Sequence, residues 1–199
     1  DGKTVAFIRS VVGNNFEEAS RLLEAGVDIN IAGREQMTPL IWVMYAKEDL
    51  QQIEFMLKHG ANPNFVDAKG YSPMYFASGG DNRALLKLIL RYRGDPNLIG
   101  PRKQSMLMVA ISQRRHHYID ILLNAGADIN WTNKHGQNAL TECLTFGRFD
   151  WMLDLLHKGY NKDFQTMAEF VTSSHVSEDM QVYKDKVILY LKSKGAKFD

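Results

Sequence analysis

Apolar residues recur along the chain at helical spacing, in short stretches that each end in a glycine. Ile53, Met56 and Leu57 share one face of a predicted helix. That helix ends at Gly60, because a residue in the left-handed conformation lets the chain reverse there. Glycine closes the same pattern at Gly26, Gly126, Gly159 and Gly195. The pattern predicts a series of short helices, each followed by a left-handed turn.

Polar residues after these glycines recur at a fixed interval, which indicates an internal repeat. One series advances in steps of 34, 33, 33 and 33 residues: Asp28, Asn62, Asp95, Asp128 and Asn161. A series two positions further on has the same steps: Asn30, Asn64, Asn97, Asn130 and Asp163. A third series, with steps of 34, 33 and 33, contains Thr38, Ser72, Ser105 and Asn138.

The third series marks predicted helix starts. Its residue types accept hydrogen bonds from the free backbone N–H groups of a first helical turn. Pro39 and Pro73 follow two of them at the first helical position, where a missing N–H costs nothing. Each repeat therefore predicts two helices and a projecting turn.

A 33-residue unit with T-P-L near its start and L-L-x-x-G-A-D near its end resembles the ankyrin repeat. The resemblance implies an all-α solenoid of about six helix-turn-helix units with projecting turns, forming a single domain over residues 1–199. The predicted units are an N-terminal cap at 1–32, central repeats at 33–66, 67–99, 100–132 and 133–165, and a degenerate C-terminal cap at 166–199.

Two departures from the ankyrin pattern lead to expectations. Arg93 occupies a glycine position, so either that turn differs locally or Gly94 takes over the left-handed role. The histidine of T-P-L-H-x-A, which ties neighbouring turns in the family, is absent from every copy. We therefore expect ties between repeats to depend more on apolar packing. The residues at the histidine position are Ile41, Tyr75, Met108 and Thr141.

Composition narrows the class of partner. Lys and Arg total 24 and Asp and Glu total 23, so the net charge of +1 disfavours nucleic acid. The longest apolar runs, at 40–44 and 106–111, are too short to span a bilayer. The chain begins with Asp1, so two compartments stay open: the periplasm, after loss of a signal or lipid anchor, or the cytoplasm.

The chain carries none of the common catalytic or phosphate-binding motifs, so we expect a non-catalytic protein without a cofactor or metal. Cys143, the single cysteine, is interpreted as a small core residue. His116 and Asp120 are spaced like neighbours on one helix face, but a zinc site needs further ligands. His116 is therefore interpreted as solvated.

Candidate partner-binding residues come from positions where the copies differ. In ankyrin proteins, partners usually meet the turn tips and the exposed faces of the first helices. These positions hold Arg34, Glu35, Met37, Tyr45, Lys69, Tyr71, Arg102, Gln104, Gln113, Lys134, His135, Gln137 and Phe146. Trp42 and Phe76, at the variable position of the motif, are either partner contacts or half-buried packing residues.

A column of large apolar residues follows the asparagine series: Ile31, Phe65, Leu98 and Trp131. We interpret the column as packing between turn tips. The alternative is an apolar strip for a partner, with Trp131 as its most exposed member.

The stretches "TPLIWVMYAKEDLQQIEFMLKHGANPN" and "SPMYFASGG" resemble bacterial ankyrin proteins, including immunity proteins encoded beside secreted antibacterial toxins. The resemblance implies a protein partner, with a cognate toxin, such as a type VI lipase effector, as the specific hypothesis. The chain would then be a monomer or a heterodimer with that partner. A generic adaptor and a bacterial effector that binds a host protein are the alternatives.

Overall fold

The computed structural model describes residues 2–46 and 49–198. Asp1 and Asp199, the ends of the predicted domain, lie outside the described residues. The described residues form α-helices joined by turns, with short 3-10 helices at Arg34–Gln36 and His116–Tyr118. The chain folds as two compact units, the first ending at Arg102 and the second beginning at Lys103.

The first unit consists of side-by-side helical hairpins. Helix α1 packs against α2 and α3, α3 packs against α4 and α5, and α6 packs against α4 and α5. These helices are α1 (Gly2–Val12), α2 (Phe16–Glu24), α3 (Pro39–Ala46), α4 (Leu50–Lys58), α5 (Pro73–Gly79) and α6 (Arg83–Arg91).

The second unit repeats this arrangement. Helix α7 packs against α8 and α9, α9 packs against α10 and α11, and α12 packs against α10 and α11. These helices are α7 (Met106–Ser112), α8 (Ile119–Asn124), α9 (Ala139–Thr145), α10 (Phe149–His157), α11 (Phe164–Ser173) and α12 (Glu178–Ser193). The predicted division into six units and caps stays a prediction.

The predicted helix starts are confirmed. The hydroxyl oxygens of Thr38, Ser72 and Ser105 each accept a hydrogen bond from the backbone N–H three residues later, at 3.4, 3.1 and 3.3 Å. Asn138 forms a capping box, because its side chain accepts from the N–H of Thr141, whose hydroxyl accepts from the N–H of Asn138. The first residues of two of these helices are Pro39 and Pro73.

The turn at Arg93 matches neither expectation: the turn does not differ locally, and Gly94 does not take the left-handed role. Arg93 itself takes the left-handed conformation, with φ of 66°, and the backbone bonds of the turn are those of the glycine-containing copies. Gly94 has a different role. A Cβ atom built there would lie 2.5 Å from Cγ2 of Ile89 and 2.9 Å from its carbonyl oxygen. The β-branched Ile89 thus occupies the space that a side chain at position 94 would need.

Amide side chains tie successive hairpins of the first unit together. Asn30 donates from Nδ2 to the carbonyl of Gly60 at 2.9 Å and accepts through Oδ1 from the N–H of Asn62 at 2.7 Å. Asn64 makes the same two bonds one hairpin further on, at 2.9 and 2.7 Å. The asparagine series therefore supplies polar ties that the expectation of a greater dependence on apolar packing did not include.

Related bonds occur in the second unit. Asn130 accepts from the N–H of Asn161 at 2.9 Å. Gln165 takes the bridging role near the end of the chain, donating to the carbonyl of Lys197 at 3.1 Å and accepting from its N–H at 2.9 Å. An amide side chain suits this role because it carries both a donor and an acceptor.

Replacing Gly94 by alanine should destabilise the protein by about 1–3 kcal/mol, because the new methyl group overlaps Ile89. The free energy of unfolding from urea denaturation measures the loss. Gly2→Ala is the matched control, since a Cβ there meets nothing within 4 Å. Equal losses in the two variants would contradict the close approach.

Asn64→Ala removes both bridging bonds and should cost about 1–3 kcal/mol of unfolding free energy, at roughly 0.5–1.5 kcal/mol for each bond. Asn124→Ala removes an exposed amide at the end of α8 and serves as the control. Thermal denaturation followed by circular dichroism compares the two variants. An unchanged melting temperature for Asn64→Ala would show that the bridge does not stabilise the stack.

Candidate protein-binding surfaces

The projecting turn before α5 is held by a buried carboxylate. Asp67 accepts from the N–H groups of Lys69 and Tyr71, both at 2.8 Å. The adjacent turn is tied to it, because the N–H of Ala68 donates to the carbonyl of Glu35 at 2.8 Å. The Lys69 ammonium lies 2.7 Å from the Glu35 carboxylate, and this hydrogen bond raises the lysine pKa. The two predicted tip residues are therefore partners of each other.

Aromatic rings collect between this turn and the first helices of two hairpins. The tyrosine cluster consists of Tyr45, Tyr71, Tyr75 and Phe76. The ring centroid of Tyr45 lies 4.8 Å from that of Phe76 and 6.4 Å from that of Tyr71, in edge-to-face arrangements. Tyr45 remains 51% exposed. Partial burial and the charge of Asp67 raise the pKa of its hydroxyl. The cluster holds an exposed aromatic side chain in a fixed orientation.

Trp42 is the other exposed aromatic side chain of α3. It is 50% exposed and lies between two depressions of about 700 and 570 Å³. The larger depression is lined by Arg34, Glu35 and Met37, which the sequence had indicated as candidates. Of the two interpretations of the variable position, Trp42 matches a surface residue, whereas Phe76 is half-buried in the tyrosine cluster.

Helix α1 provides the opposite wall of these depressions, and none of its residues was among the predicted contacts. Ile8 lines both depressions together with Trp42, and Val5, Arg9 and Val12 line the smaller one. The sequence signal that could have identified this wall is a second apolar stripe on α1, formed by residues other than those buried against the neighbouring helices. We call the two depressions together the Trp42 groove.

The second unit carries a groove of its own, of about 540 Å³. His135 and Gln137 line it with Leu144 and the exposed Phe170. Asn133 holds the turn, accepting from the N–H groups of His135 and Gln137 at 2.9 and 3.0 Å. Leu144 and Phe170 were not among the predicted residues, because no repeat-wide pattern distinguishes them.

The structure places the sixteen predicted residues in two exposure classes. The exposed ones are Arg34, Glu35, Trp42, Tyr45, Lys69, Arg102, Gln113, Lys134, His135, Gln137 and Phe146. The half-buried ones are Met37, Tyr71, Phe76, Gln104 and Trp131.

The exposures of the four residues in the apolar column do not match the alternative interpretation, in which Trp131 is the most exposed member. Trp131 is half-buried, as are Phe65 and Leu98, whereas Ile31 is 36% exposed. The expectation that Trp131 would be the most exposed member is wrong.

His116 is not merely solvated. Its Nε2 lies 3.1 Å from the carboxylate of Asp154, and its ring stacks on Trp151 with centroids 5.0 Å apart. Asp120 pairs instead with Lys158 at 2.9 Å, and the hydrogen bonds that the lysine ammonium donates to Asp120 and Asp154 raise the lysine pKa. Within residues 2–46 and 49–198, no three His, Cys, Asp or Glu side chains are grouped to hold a metal.

Cys143 is fully buried in α9, as its interpretation as a core residue predicted. Burial raises the pKa of its thiol far above the ordinary range, and the nearby Asp150 raises it further. The nucleophilic thiolate form is therefore disfavoured.

Comparison with known proteins agrees with the repeated geometry. Residues 74–166 match the family model "Ankyrin repeats (3 copies)". The chain is 25% identical to palmitoyltransferase AKR1 of Lachancea kluyveri, over 85% of the chain and 23% of that protein. It is 24% identical to a putative ankyrin repeat-containing protein of Treponema pallidum, over 67% of the chain and 45% of that protein. A further relative is the human transient receptor potential cation channel subfamily A member 1, at 31% identity over 45% of the chain and 8% of the channel.

Residues 74–166 consist of ankyrin repeats, and the predicted all-α ankyrin fold is confirmed. Ankyrin repeats are generally non-catalytic, and they make this chain a protein–protein interaction module. The chain spans less than half the length of these curated relatives. In the part of the chain that the structure describes, no helix is both long and apolar enough to cross a membrane.

The two tyrosines of the cluster should differ in their contribution to stability. Tyr71→Ala removes half-buried ring contacts with Tyr45, Tyr75 and Phe76 and should cost about 1–3 kcal/mol. Tyr45→Ala, at a more exposed ring, should cost about 1 kcal/mol or less. Urea denaturation of the two variants tests this order, and a reversed order would contradict the packing described.

Proposed function

We propose that this chain binds its protein partner through the tyrosine cluster and the neighbouring turn tips of the first unit. The observation that carries the proposal is the exposed Tyr45 ring, held in place by Tyr71 and Phe76. An aromatic side chain that is already ordered loses little conformational entropy on binding. Aromatic residues are also among the commonest hot spots of protein interfaces.

The surroundings of Tyr45 support this role. The Glu35–Lys69 ion pair lies beside the cluster, and the turn that bears Lys69 is fixed by the buried Asp67. Protein interfaces combine an apolar centre with a polar rim. Here the tyrosine cluster would form the centre and the ion pair part of the rim. The other predicted contact residues stay candidates, including His135, Gln137 and Phe146 of the second unit.

We further propose that the partner is a secreted antibacterial toxin that the chain neutralises, with a type VI lipase effector as the specific candidate. The support for this partner class is the resemblance of the repeat sequences to bacterial immunity proteins. In this role the chain is a monomer until it forms a heterodimer with the toxin, and it acts by covering the active site or docking surface of the toxin. A generic adaptor, or an effector that binds a host protein, would use the same surface for another partner.

Capture of the native partner tests the binding surface. Tagged wild-type chain and Tyr45→Ala are used to recover proteins from the native organism, and affinity for the recovered partner is measured by calorimetry. Truncating a hot-spot aromatic should weaken binding roughly tenfold or more. Tyr183→Ala is the matched control, because this tyrosine is 37% exposed on α12 of the second unit and is not part of the cluster. Equal affinity for the wild type and Tyr45→Ala would contradict the proposed surface.

The partner class has a separate test in the native organism. A gene next to that of this chain should encode a toxin that co-purifies with the chain, and deletion mutants should be killed by wild-type siblings. Deletion mutants that survive beside their siblings, together with recovery of a partner that is not a toxin, would favour the adaptor or effector role.

A further inference from the structure

Helix α1 has more apolar surface than its neighbouring helices cover. Phe7 and Val11 are fully buried against the rest of the first unit. Val5, at 47% exposure, and Val12 lie on another face and remain exposed. A helix that packs at one edge of a stack needs a single apolar face. The second apolar face of α1 therefore calls for a separate explanation.

The exposed apolar face of α1 forms one wall of the Trp42 groove. Ile8 and Trp42 line both of its depressions, so they lie at its centre. Arg9 lines the smaller depression and Arg34 lines the larger one. The groove therefore has an apolar centre and an arginine in each of its two parts.

Among residues 2–46 and 49–198, no carboxylate neutralises these arginines. Neither Arg9 nor Arg34 forms an ion pair with another described residue. Glu35, the one carboxylate among the described residues that line the groove, pairs with Lys69 at 2.7 Å. Helix α1 adds Lys3 and contains no acidic residue. The groove thus has a positive rim, although the whole chain is close to neutral.

We propose that the Trp42 groove binds a partner segment in which a large apolar side chain is flanked on both sides by aspartate or glutamate. This inference rests on the proposed function for the existence of a protein partner, and it adds a second contact area and the chemistry of its ligand. The apolar side chain packs on Trp42 and Ile8. The carboxylates meet Arg9 and Arg34, whose planar guanidinium groups suit carboxylates.

The positive charge of the groove favours this acidic segment over other occupants. A basic segment would place its cations against both arginines, and like charges across an interface cost affinity. A second copy of the chain is disfavoured for the same reason, because a symmetric dimer brings identical patches together. An apolar segment without carboxylates would bury its side chain but leave both guanidinium groups without a partner.

Short fluorescent peptides test the ligand chemistry on the whole chain. One peptide has a central phenylalanine with glutamates on both sides, in a glycine–serine background. The second replaces the glutamates with lysine, and the third replaces the phenylalanine with serine. Fluorescence polarisation should show the acidic phenylalanine peptide binding roughly tenfold or more tightly than either of the others. Raising the salt concentration should narrow the difference between the first two peptides, because exposed charges are screened.

Charge reversal is the decisive variant. The double substitution Arg9→Glu with Arg34→Glu should invert the preference, so that the lysine peptide binds more tightly than the glutamate peptide. Arg83→Glu with Lys87→Glu on α6 is the control, since it changes the net charge by the same amount at exposed residues outside the groove. Trp42→Ala should abolish binding of the acidic peptide while leaving the circular dichroism spectrum unchanged.

Several results would overturn the assignment: no binding of the acidic peptide, equal binding of the serine peptide, or no effect of charge reversal on the preference. Sedimentation that shows a wild-type dimer dissociated by Trp42→Ala would assign the groove to a second copy instead. The captured native partner separates the two proposals. If it binds the Arg9→Glu, Arg34→Glu variant as tightly as the wild type, the groove assignment fails and the proposed function stands. If the acidic peptide binds through the arginines but the captured partner binds Tyr45→Ala as tightly as the wild type, the proposed tyrosine-cluster surface fails and the groove assignment stands.

Discussion

The bridging amides of Asn30 and Asn64 are the interaction on which the first unit depends. Each joins the end of one hairpin to the next, satisfying a carbonyl and an N–H that the helix turns leave open. Because each amide makes two bonds in opposite senses, it sets the register between hairpins. The positions of the turn tips follow from that register. In the second unit, Gln165 makes a bridge of the same kind.

The register between hairpins brings residues from different helices and turns together on one surface. Tyr45 comes from α3, Tyr71 from a projecting turn and Phe76 from α5, and they meet only because their hairpins are held side by side. The buried Asp67 keeps the turn rigid, and a backbone bond ties it to the preceding one. The resulting surface is ordered before any partner arrives, so its aromatic side chains need little rearrangement to bind.

The repeat pattern predicted the helices, their caps and the left-handed glycines, because these features depend on residues close in sequence. The errors have one origin, which is contact between residues far apart in sequence. Arg93, which takes the left-handed conformation, accepts a hydrogen bond at its carbonyl from Nδ2 of Asn64, a residue of another hairpin. The pairing of His116 with Asp154 joins two different hairpins, so spacing within one helix could not reveal it.

The sequence by itself determined the all-α ankyrin fold, since this fold follows from a local pattern that recurs along the chain. Only the tertiary structure decided which variable residues act together. It showed that Trp42 is exposed while Phe76 is half-buried, although both occupy the same position of the motif. It also brought α1 to the other side of the Trp42 groove. The physical reason is that exposure depends on the neighbouring hairpin, whose side chains differ from copy to copy.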